Sequence, residues 1–194
     1  MTWLYLLKER SKVSNVIEFF FNKIKNQFST SIRVLYTDNA LEYVKKDVSS
    51  FCSKIELFIR PLILIYLKEM KLLKKHRYIM NVARTLMIHM SVLKYLWSDD
   101  VLSTCYLINR MPSSVLNNKS PFSCLYVNKT PFSMTPCVFE CTCFVQDLSP
   151  GLDKLSPRSI KYVFIGYFRT KKGYMCYTLS TRKYLVSTDV TFFE

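Results

Sequence analysis

A proline-containing stretch in the middle of the chain constrains the fold more than any other feature. Residues 112–136 hold four of the seven prolines and are interspersed with Ser and Asn. Proline fixes φ and has no backbone N–H, so neither a long helix nor a central strand crosses such a stretch easily. The sequence therefore predicts an extended connector at residues 112–136, between two parts of the chain with different patterning.

The part before the connector mixes helix and strand patterns. Short apolar runs, which are typical of strands, occupy residues 2–7, 31–37 and 55–59. Apolar residues recur at helical spacing, or predict a short helix, at residues 11–28, 46–54, 68–90 and 97–111. Ser11 is a candidate cap for the first of these helices. The pattern predicts an α/β structure for this part.

The part after the connector predicts a small, separate β unit. Strand-like runs lie at residues 138–146, 161–168, 174–179 and 183–193. Glycine, however, is scarce: the chain has three, whereas an average chain of this length has about 13. Because left-handed turn positions favour glycine, we expect other residues to occupy several of them.

Charge limits the kinds of partner. The net charge is +14, and residues 1–111 carry 18 Lys/Arg against 9 Asp/Glu. Such a surplus favours nucleic acid or an anionic membrane surface, although a merely solvated basic surface has the same composition. The apolar run at residues 61–67 is too short to span a membrane, so no transmembrane segment is predicted.

The basic residues are concentrated in one predicted helix. Residues 68–84 contain six basic residues and one acid. On a helical wheel Lys74, Arg77, Asn81 and Arg84 fall within an arc of roughly 80°, opposite the apolar side. Three interpretations remain open: a solvated helix face, a surface that contacts phosphates, or an amphipathic helix that lies on a membrane.

The cysteines predict reduced thiols in the cytosol or nucleus. There are seven, an odd number, and the first ten residues contain Lys8, Glu9 and Arg10 rather than a long apolar run. Cys141 and Cys143 would share a strand face near Cys137, but no second ligand pair lies at zinc spacing. His76 and His89 likewise lack a partner at ligand spacing. No cofactor is predicted.

Several segments carry a family resemblance. They are residues 2–8, 36–43, 82–87, 106–116 and 161–167, followed by 172–174 and 189–192. In this order they resemble the integrase region of Copia-type retrotransposon Pol polyproteins, with the runs at 108–116 and 163–167 the most specific. The resemblance implies a truncated RNase H-like integrase core at residues 1–111, the connector at 112–136, and an SH3-like β module at 137–194.

The resemblance also implies a catalytic site. The family uses two aspartates and a glutamate to hold two Mg²⁺ or Mn²⁺ ions for phosphoryl transfer. Asp38 matches the second aspartate, whereas the first would lie upstream of Met1. The glutamate is expected about 35 residues after Asp38, where this chain has Leu73. The match fails near Arg60 and resumes at His76, as two compensating frameshifts would produce.

These observations predict a catalytically inactive integrase fragment. Asp38 is either a turn or helix-cap residue or the remnant of a metal ligand, and Glu42 and Glu69 are the carboxylates available to rebuild a site. Non-specific binding of DNA or RNA is assigned to a basic set on the helix: Lys71, Lys74, Lys75, Arg77 and Arg84. The alternatives are the product of a decayed reading frame without a function, or a protein of the membrane surface. Nothing in the sequence predicts an oligomeric state.

Overall fold

The computed structural model describes residues 1–37, 46–61, 66–89, 94–147, 157–168 and 171–193, without the side chains of residues 46–47, 61, 66–76, 89 and 94. The chain divides into two compact units. The N-terminal unit is Tyr5–Lys75, and the C-terminal unit is Met1–Leu4 with His76–Glu194. The domain boundaries predicted at residues 111 and 137 remain predictions from the resemblance; by contacts, the helices after His76 group with the C-terminal strands.

The N-terminal unit combines helices with a pair of parallel strands. Its elements are a 3₁₀ turn at Arg10–Lys12, α1 at Val13–Phe28, β1 at Val34–Thr37, α2 at Lys46–Lys54, β2 at Phe58–Pro61 and the first ten residues of α3 at Tyr66–His89. β1 and β2 pair in parallel, with Val34 opposite Phe58. The core of this unit is the buried cluster of Val48, Cys52 and Leu57, against which partly buried apolar side chains from α1 and β1 pack.

The helices of the C-terminal unit pack through a small apolar contact. They are the remainder of α3, a 3₁₀ turn at Lys94–Leu96, α4 at Trp97–Ile108, a 3₁₀ turn at Ser114–Leu116 and α5 at Pro121–Leu125. Ile79 and Ala83 of α3 pack against Val101 of α4. α5 begins with a capping residue, because the Ser120 hydroxyl accepts a hydrogen bond from the Ser123 N–H at 3.0 Å.

A five-stranded antiparallel sheet completes the C-terminal unit. Its strands are β3 at Thr142–Gln146, β4 at Ser159–Tyr167, β5 at Tyr174–Thr178, β6 at Lys183–Ser187 and β7 at Thr191–Phe193, in the order β6-β5-β4-β3-β7. Cys143, Phe164 and Cys176 belong to one buried cluster, whereas Ile165 and Tyr177 pack with Leu96 in another. The sheet therefore buries side chains on both of its faces.

Most predicted elements are confirmed, but the strand predicted at residues 2–7 is wrong. The chain there has no strand in the described structure. The Asn109 side chain instead forms hydrogen bonds with the backbone N–H and carbonyl of Thr2. The Asn109 amide donates to Thr2 O and its Oδ1 accepts from Thr2 N, both at 2.7 Å. The predicted cap at Ser11 is also wrong, because Ser11 lies inside the 3₁₀ turn and its hydroxyl donates to Glu9.

Three further predictions need correction. The single run predicted at residues 183–193 is two strands, β6 and β7, on opposite edges of the sheet. A turn separates them, in which Ser187 Oγ bonds both the N–H and the carbonyl of Asp189. The connector at residues 112–136 is not simply extended, because it contains a 3₁₀ turn and α5. The strand predicted at residues 55–59 begins at Phe58 instead.

Left-handed backbone positions are held by residues other than glycine, as the scarcity of glycine predicts. Six described residues of this kind have φ between 50° and 64°: Ser29, Glu56, Asn117, Asn118, Glu140 and Arg182. Within the described ranges, no helix combines the length and apolar character that crossing a membrane requires.

Candidate nucleic-acid interface

The C-terminal half of α3 presents a polar, positively charged face to solvent. Arg77, Asn81 and Arg84 are all exposed. Ile79 and Ala83 are buried, with 4% and 1% of their surface exposed. The difference follows from the helical period, since residues three, four and seven apart share one side of a helix. This part of the predicted arc is therefore a true surface of the folded chain.

The other predicted basic residues are only partly described. Lys71, Lys74 and Lys75 lie on the backbone of α3, but their side chains fall outside the described part of the structure. Their inclusion in one binding face with Arg77 and Arg84 stays a prediction.

The side chains at the predicted catalytic positions also fall outside the described part of the structure. Asp38 and Glu42 lie outside the described residues, and Glu69 and Leu73 are described only as backbone of α3. The geometry of a carboxylate triad is therefore a prediction as well. Among the residues that are described, there is no group of three or more His, Cys, Asp or Glu side chains that could hold a metal ion.

A second basic surface, which the sequence analysis did not identify, lies at one end of the sheet. Its exposed members are Arg158, Lys161, Arg182 and Lys183. The strand register places them at the same end of the sheet: Lys183 pairs with Thr178 at the end of β5, Lys161 lies near the start of β4, and Arg158 directly precedes β4. The turn between β5 and β6, at residues 179–182, is the sequence signal that could have revealed this clustering.

The basic sheet end, as we call these four residues, is bordered by exposed apolar and aromatic side chains. Leu179 is 55% exposed and Tyr184 is 53% exposed. The Tyr184 hydroxyl donates a hydrogen bond to Asp99 Oδ2 at 3.2 Å. Burial, together with the nearby Asp99 carboxylate, raises the pKa of Tyr184 to about 12. The phenol is thus neutral at physiological pH and fixed in position at the edge of the basic surface.

A buried carboxyl lies in the same unit. Asp100 of α4 is fully buried, and neither of its carboxyl oxygens has a hydrogen-bond partner among the described residues. The buried Thr104 hydroxyl, one turn further along α4, also has no hydrogen-bond partner among the described residues. Burial raises the pKa of Asp100 to about 7. Burial, with a further contribution from Asp100, raises the pKa of Glu140 to about 7.

Nothing in the sequence indicated that Asp100 would be buried or that Glu140 would lie near it. Acidic residues in the first turn of a helix are usually favoured there by the helix dipole, which requires no burial. Glu140 precedes β3 with a left-handed φ of 64°, and its N–H donates to Phe164 O at 2.7 Å. The approach of residues 100 and 140, which are forty positions apart, depends on the packing of α4 against the sheet. Chemically, the pair can take up or release a proton near neutral pH.

An arginine and two tyrosines join α4 to the sheet. The Arg110 guanidinium lies 3.4 Å from the centre of the Tyr106 ring, which is stacked on Tyr167 with centroids 4.4 Å apart. Arg110 Nε also donates to Pro131 O at 2.6 Å. Arg110 is half-buried, so this guanidinium is structural rather than available to phosphates. The contact unites residues 106–116 and 161–167, two of the segments that carry the resemblance.

Comparison with known proteins agrees with this architecture. Residues 141–194 match the retroviral polymerase SH3-like domain family, and this region includes all five strands of the described sheet. The chain is 33% identical over 195 residues to the retrovirus-related Pol polyprotein from transposon RE1 of Arabidopsis thaliana. It is 33% identical over 197 residues to the corresponding protein from transposon RE2 of the same plant.

A third relative is the retrovirus-related Pol polyprotein from transposon TNT 1-94 of Nicotiana tabacum, which is 27% identical over 193 residues. These alignments cover 99–100% of this chain but only 13–14% of the relatives. The resemblance to Copia-type Pol polyproteins and the presence of the SH3-like module are thereby confirmed. The chain spans about 13% of the length of the first two of these relatives.

Proposed function

We propose that this chain, which is related along its whole length to retrotransposon Pol polyproteins, is a catalytically inactive integrase-region segment that binds nucleic acid without sequence preference. The observation that carries the proposal is the exposed face of α3. Arg77 and Arg84 point to solvent there, while Ile79 and Ala83 are buried on the opposite side. A basic face of this kind is available to the phosphates of a nucleic-acid backbone.

The spacing of the two arginines suits contact with a phosphate backbone. They are seven residues apart, which corresponds to about 10 Å along a helix axis and to nearly the same direction around it. Phosphate contacts position a nucleic acid without reading its bases. We therefore expect similar affinity for unrelated duplexes. The basic sheet end adds four exposed charges within the same compact unit.

Catalytic inactivity is proposed from position 73 and not from where the chain begins. Two-metal phosphoryl transfer requires several carboxylates around the ions. Leu73 stands where the resemblance requires a glutamate, and a hydrocarbon side chain cannot coordinate Mg²⁺ or Mn²⁺. Asp38 alone supplies one carboxylate. With Leu73 at this position, the donor set that the resemblance implies is incomplete, and a two-metal site would have to be rebuilt with Glu42 or Glu69.

An RNase H-like origin of the N-terminal unit is part of the same proposal. Its support is the parallel pairing of β1 and β2, with α1 and α2 in the same unit, which is the α/β arrangement that the resemblance implies. The cytosol or the nucleus is the proposed compartment, since seven cysteine thiols suit a reducing environment.

The proposal can be tested by salt titration of binding to two unrelated DNA duplexes. Arg77→Ala/Arg84→Ala removes two charges from α3, and Lys171→Ala/Lys172→Ala removes two exposed charges from the turn between β4 and β5 as a matched control. If both arginines contact phosphates, the slope of log affinity against log salt shrinks by about 1.8 in the first variant. The control keeps a slope closer to that of the wild type.

Three results would contradict the proposal in different ways. An unchanged slope in Arg77→Ala/Arg84→Ala means that this face is only solvated. Binding to anionic lipid vesicles but not to DNA favours the membrane-surface alternative, for which the exposed Tyr78 and Ile88 on α3 would supply apolar contacts. Absence of binding to either supports the product of a decayed reading frame.

A further inference from the structure

Two cysteine thiols meet inside the SH3-like sheet. Cys143 of β3 and Cys176 of β5 are both fully buried, and their sulfur atoms are 3.7 Å apart. The Cys143 thiol donates a hydrogen bond to the sulfur of Cys176.

The contact depends on the three-dimensional course of the sheet. Cys143 pairs with Tyr162 and Cys176 pairs with Phe164, so the two cysteines flank β4 on the same face. Strands separated by one neighbour are about 9.6 Å apart in a flat sheet, too far for two cysteine side chains to touch easily. The sulfur–sulfur distance therefore reflects a strong curl of β3 and β5 toward each other.

The two thiols are chemically unequal. The hydrogen bond from Cys143 lowers the pKa of Cys176, whereas the same bond and burial raise the pKa of Cys143. A thiolate is the reactive form of cysteine. Cys176 is thus the more acidic thiol of the pair, and Cys143 holds the proton next to it.

We propose that Cys143 and Cys176 form a redox modification site, in which a peroxide converts the two thiols into an intramolecular disulfide. The Cys176 thiolate attacks one peroxide oxygen and breaks the O–O bond; with one proton taken up, this gives a sulfenic acid and, from hydrogen peroxide, one water molecule. The Cys143 thiol then attacks the Cys176 sulfur and releases a second water molecule. Two thiols are oxidised and one peroxide is reduced.

The sulfur atoms are already close, and the reaction sets two geometric requirements. A disulfide has a sulfur–sulfur distance of about 2.05 Å, so the two atoms must approach by about 1.7 Å, and the curl of β3 and β5 must bring the two Cα atoms within about 6.8 Å of each other. Because both thiols are buried, a small peroxide reaches them only through local opening, and the adjacent edge is β7, a three-residue strand in which Phe192 pairs with Cys143. Short edge strands open locally at low cost, and opening of β7 would uncover this side of the cluster.

The experiment is oxidation of the full chain with hydrogen peroxide under native conditions. Remaining thiols are then alkylated, and the chain is digested and analysed by mass spectrometry. We expect a peptide pair joined through Cys143 and Cys176 with the loss of two hydrogen atoms. The oxidised chain should unfold at a higher urea concentration, and dithiothreitol should restore the original midpoint.

The variants separate this pair from the other thiols. Cys143→Ser and Cys176→Ser should each abolish the cross-link and the shift in midpoint, whereas Cys124→Ser, at an exposed position, should leave both unchanged. If a variant in the core does not fold, the peptide map of the oxidised wild type still shows whether Cys143 and Cys176 are cross-linked. Oxidation of Cys124 with Cys143 and Cys176 left as thiols, or a disulfide from either of them to Cys141, would overturn the proposal.

Discussion

Ser103 of α4 donates a hydrogen bond to Ile165 O at 3.0 Å, and the residue that follows, Gly166, has a φ of +140°. A Cβ atom at position 166 would overlap the Ser103 side chain. The pairing of β4 with β5 is also irregular between Phe164 and Gly166. This contact between α4 and the sheet thus coincides with a backbone conformation that only glycine adopts readily.

Gly166→Ala is expected to lower the free energy of unfolding of the C-terminal unit by at least about 2 kcal/mol, because the new Cβ adds both backbone strain and overlap with Ser103. Urea unfolding followed by tryptophan fluorescence measures this, since Trp3 and Trp97 both belong to that unit. In the double variant Ser103→Ala/Gly166→Ala the overlap is relieved but the strain is not, so stability should recover only in part. A Gly166→Ala protein as stable as the wild type would refute this account.

The buried Asp100 predicts that stability falls as the pH rises. Its pKa is about 7 in the folded chain, compared with an ordinary value of 3.8. Between about pH 4 and pH 7 the folded state therefore binds more protons than the unfolded state, and the free energy of unfolding decreases with pH. The loss approaches about 1.4 kcal/mol per pH unit for one carboxyl in the middle of this range.

Asp100→Asn isolates this effect, because the amide is neutral at every pH. We expect the variant to gain stability relative to the wild type by about 1 to 4 kcal/mol between pH 4 and pH 7. Asp189→Asn, at an exposed aspartate, is the matched control and should show a much smaller change. The measurement is the urea midpoint of all three chains across this pH range. A constant difference between Asp100→Asn and the wild type would show that Asp100 is not held neutral by burial.

Arg110→Lys should destabilise the C-terminal unit by about 1–2 kcal/mol even though the charge is conserved. Lysine lacks the planar group that lies over Tyr106 and Phe122, and it cannot reproduce the hydrogen bond from Nε to Pro131 O. Arg158→Lys, at an exposed position, provides the control. Equal urea midpoints for the two variants would mean that the stacked guanidinium contributes nothing beyond its charge.

We expect no metal-dependent cleavage or strand transfer by the chain with Mg²⁺ or Mn²⁺, because Leu73 occupies the position of the expected glutamate. Relaxation of supercoiled plasmid detects single nicks and is a sensitive assay. The informative control is Asp38→Ala, which should behave as the wild type does. Nicking by the wild type that disappears in Asp38→Ala would demonstrate an active site that the sequence does not predict.

The helices and strands that could be predicted from the sequence are those that depend on local patterns of apolar residues. α1, α2, α3 and α4 follow from apolar residues at helical spacing, and each lies close to its predicted bounds. β4 and β5 follow from apolar runs that end at turn residues. The exposure of Arg77 and Arg84 is equally local, because the period of the helix places them opposite the buried side.

Features that depend on distant partners were not predictable in this way. Residues 2–7 have the apolar composition of a strand, but a side chain more than one hundred positions away bonds the backbone of Thr2. The run at residues 183–193 has continuous strand character, yet the Ser187 turn sends its two ends to opposite edges of the sheet. The burial of Asp100 and the meeting of Cys143 with Cys176 arise only when α4 and the strands pack.

The left-handed positions make this chain a starting point for protein engineering. Left-handed backbone costs an ordinary L-residue roughly 1–2 kcal/mol, a cost that glycine largely avoids. Ser29, at the C-terminal end of α1, and Glu56, in the turn between α2 and β2, are exposed, so a change there disturbs little else. Glycine substitutions at such turn positions are therefore expected to raise the unfolding temperature without altering the core.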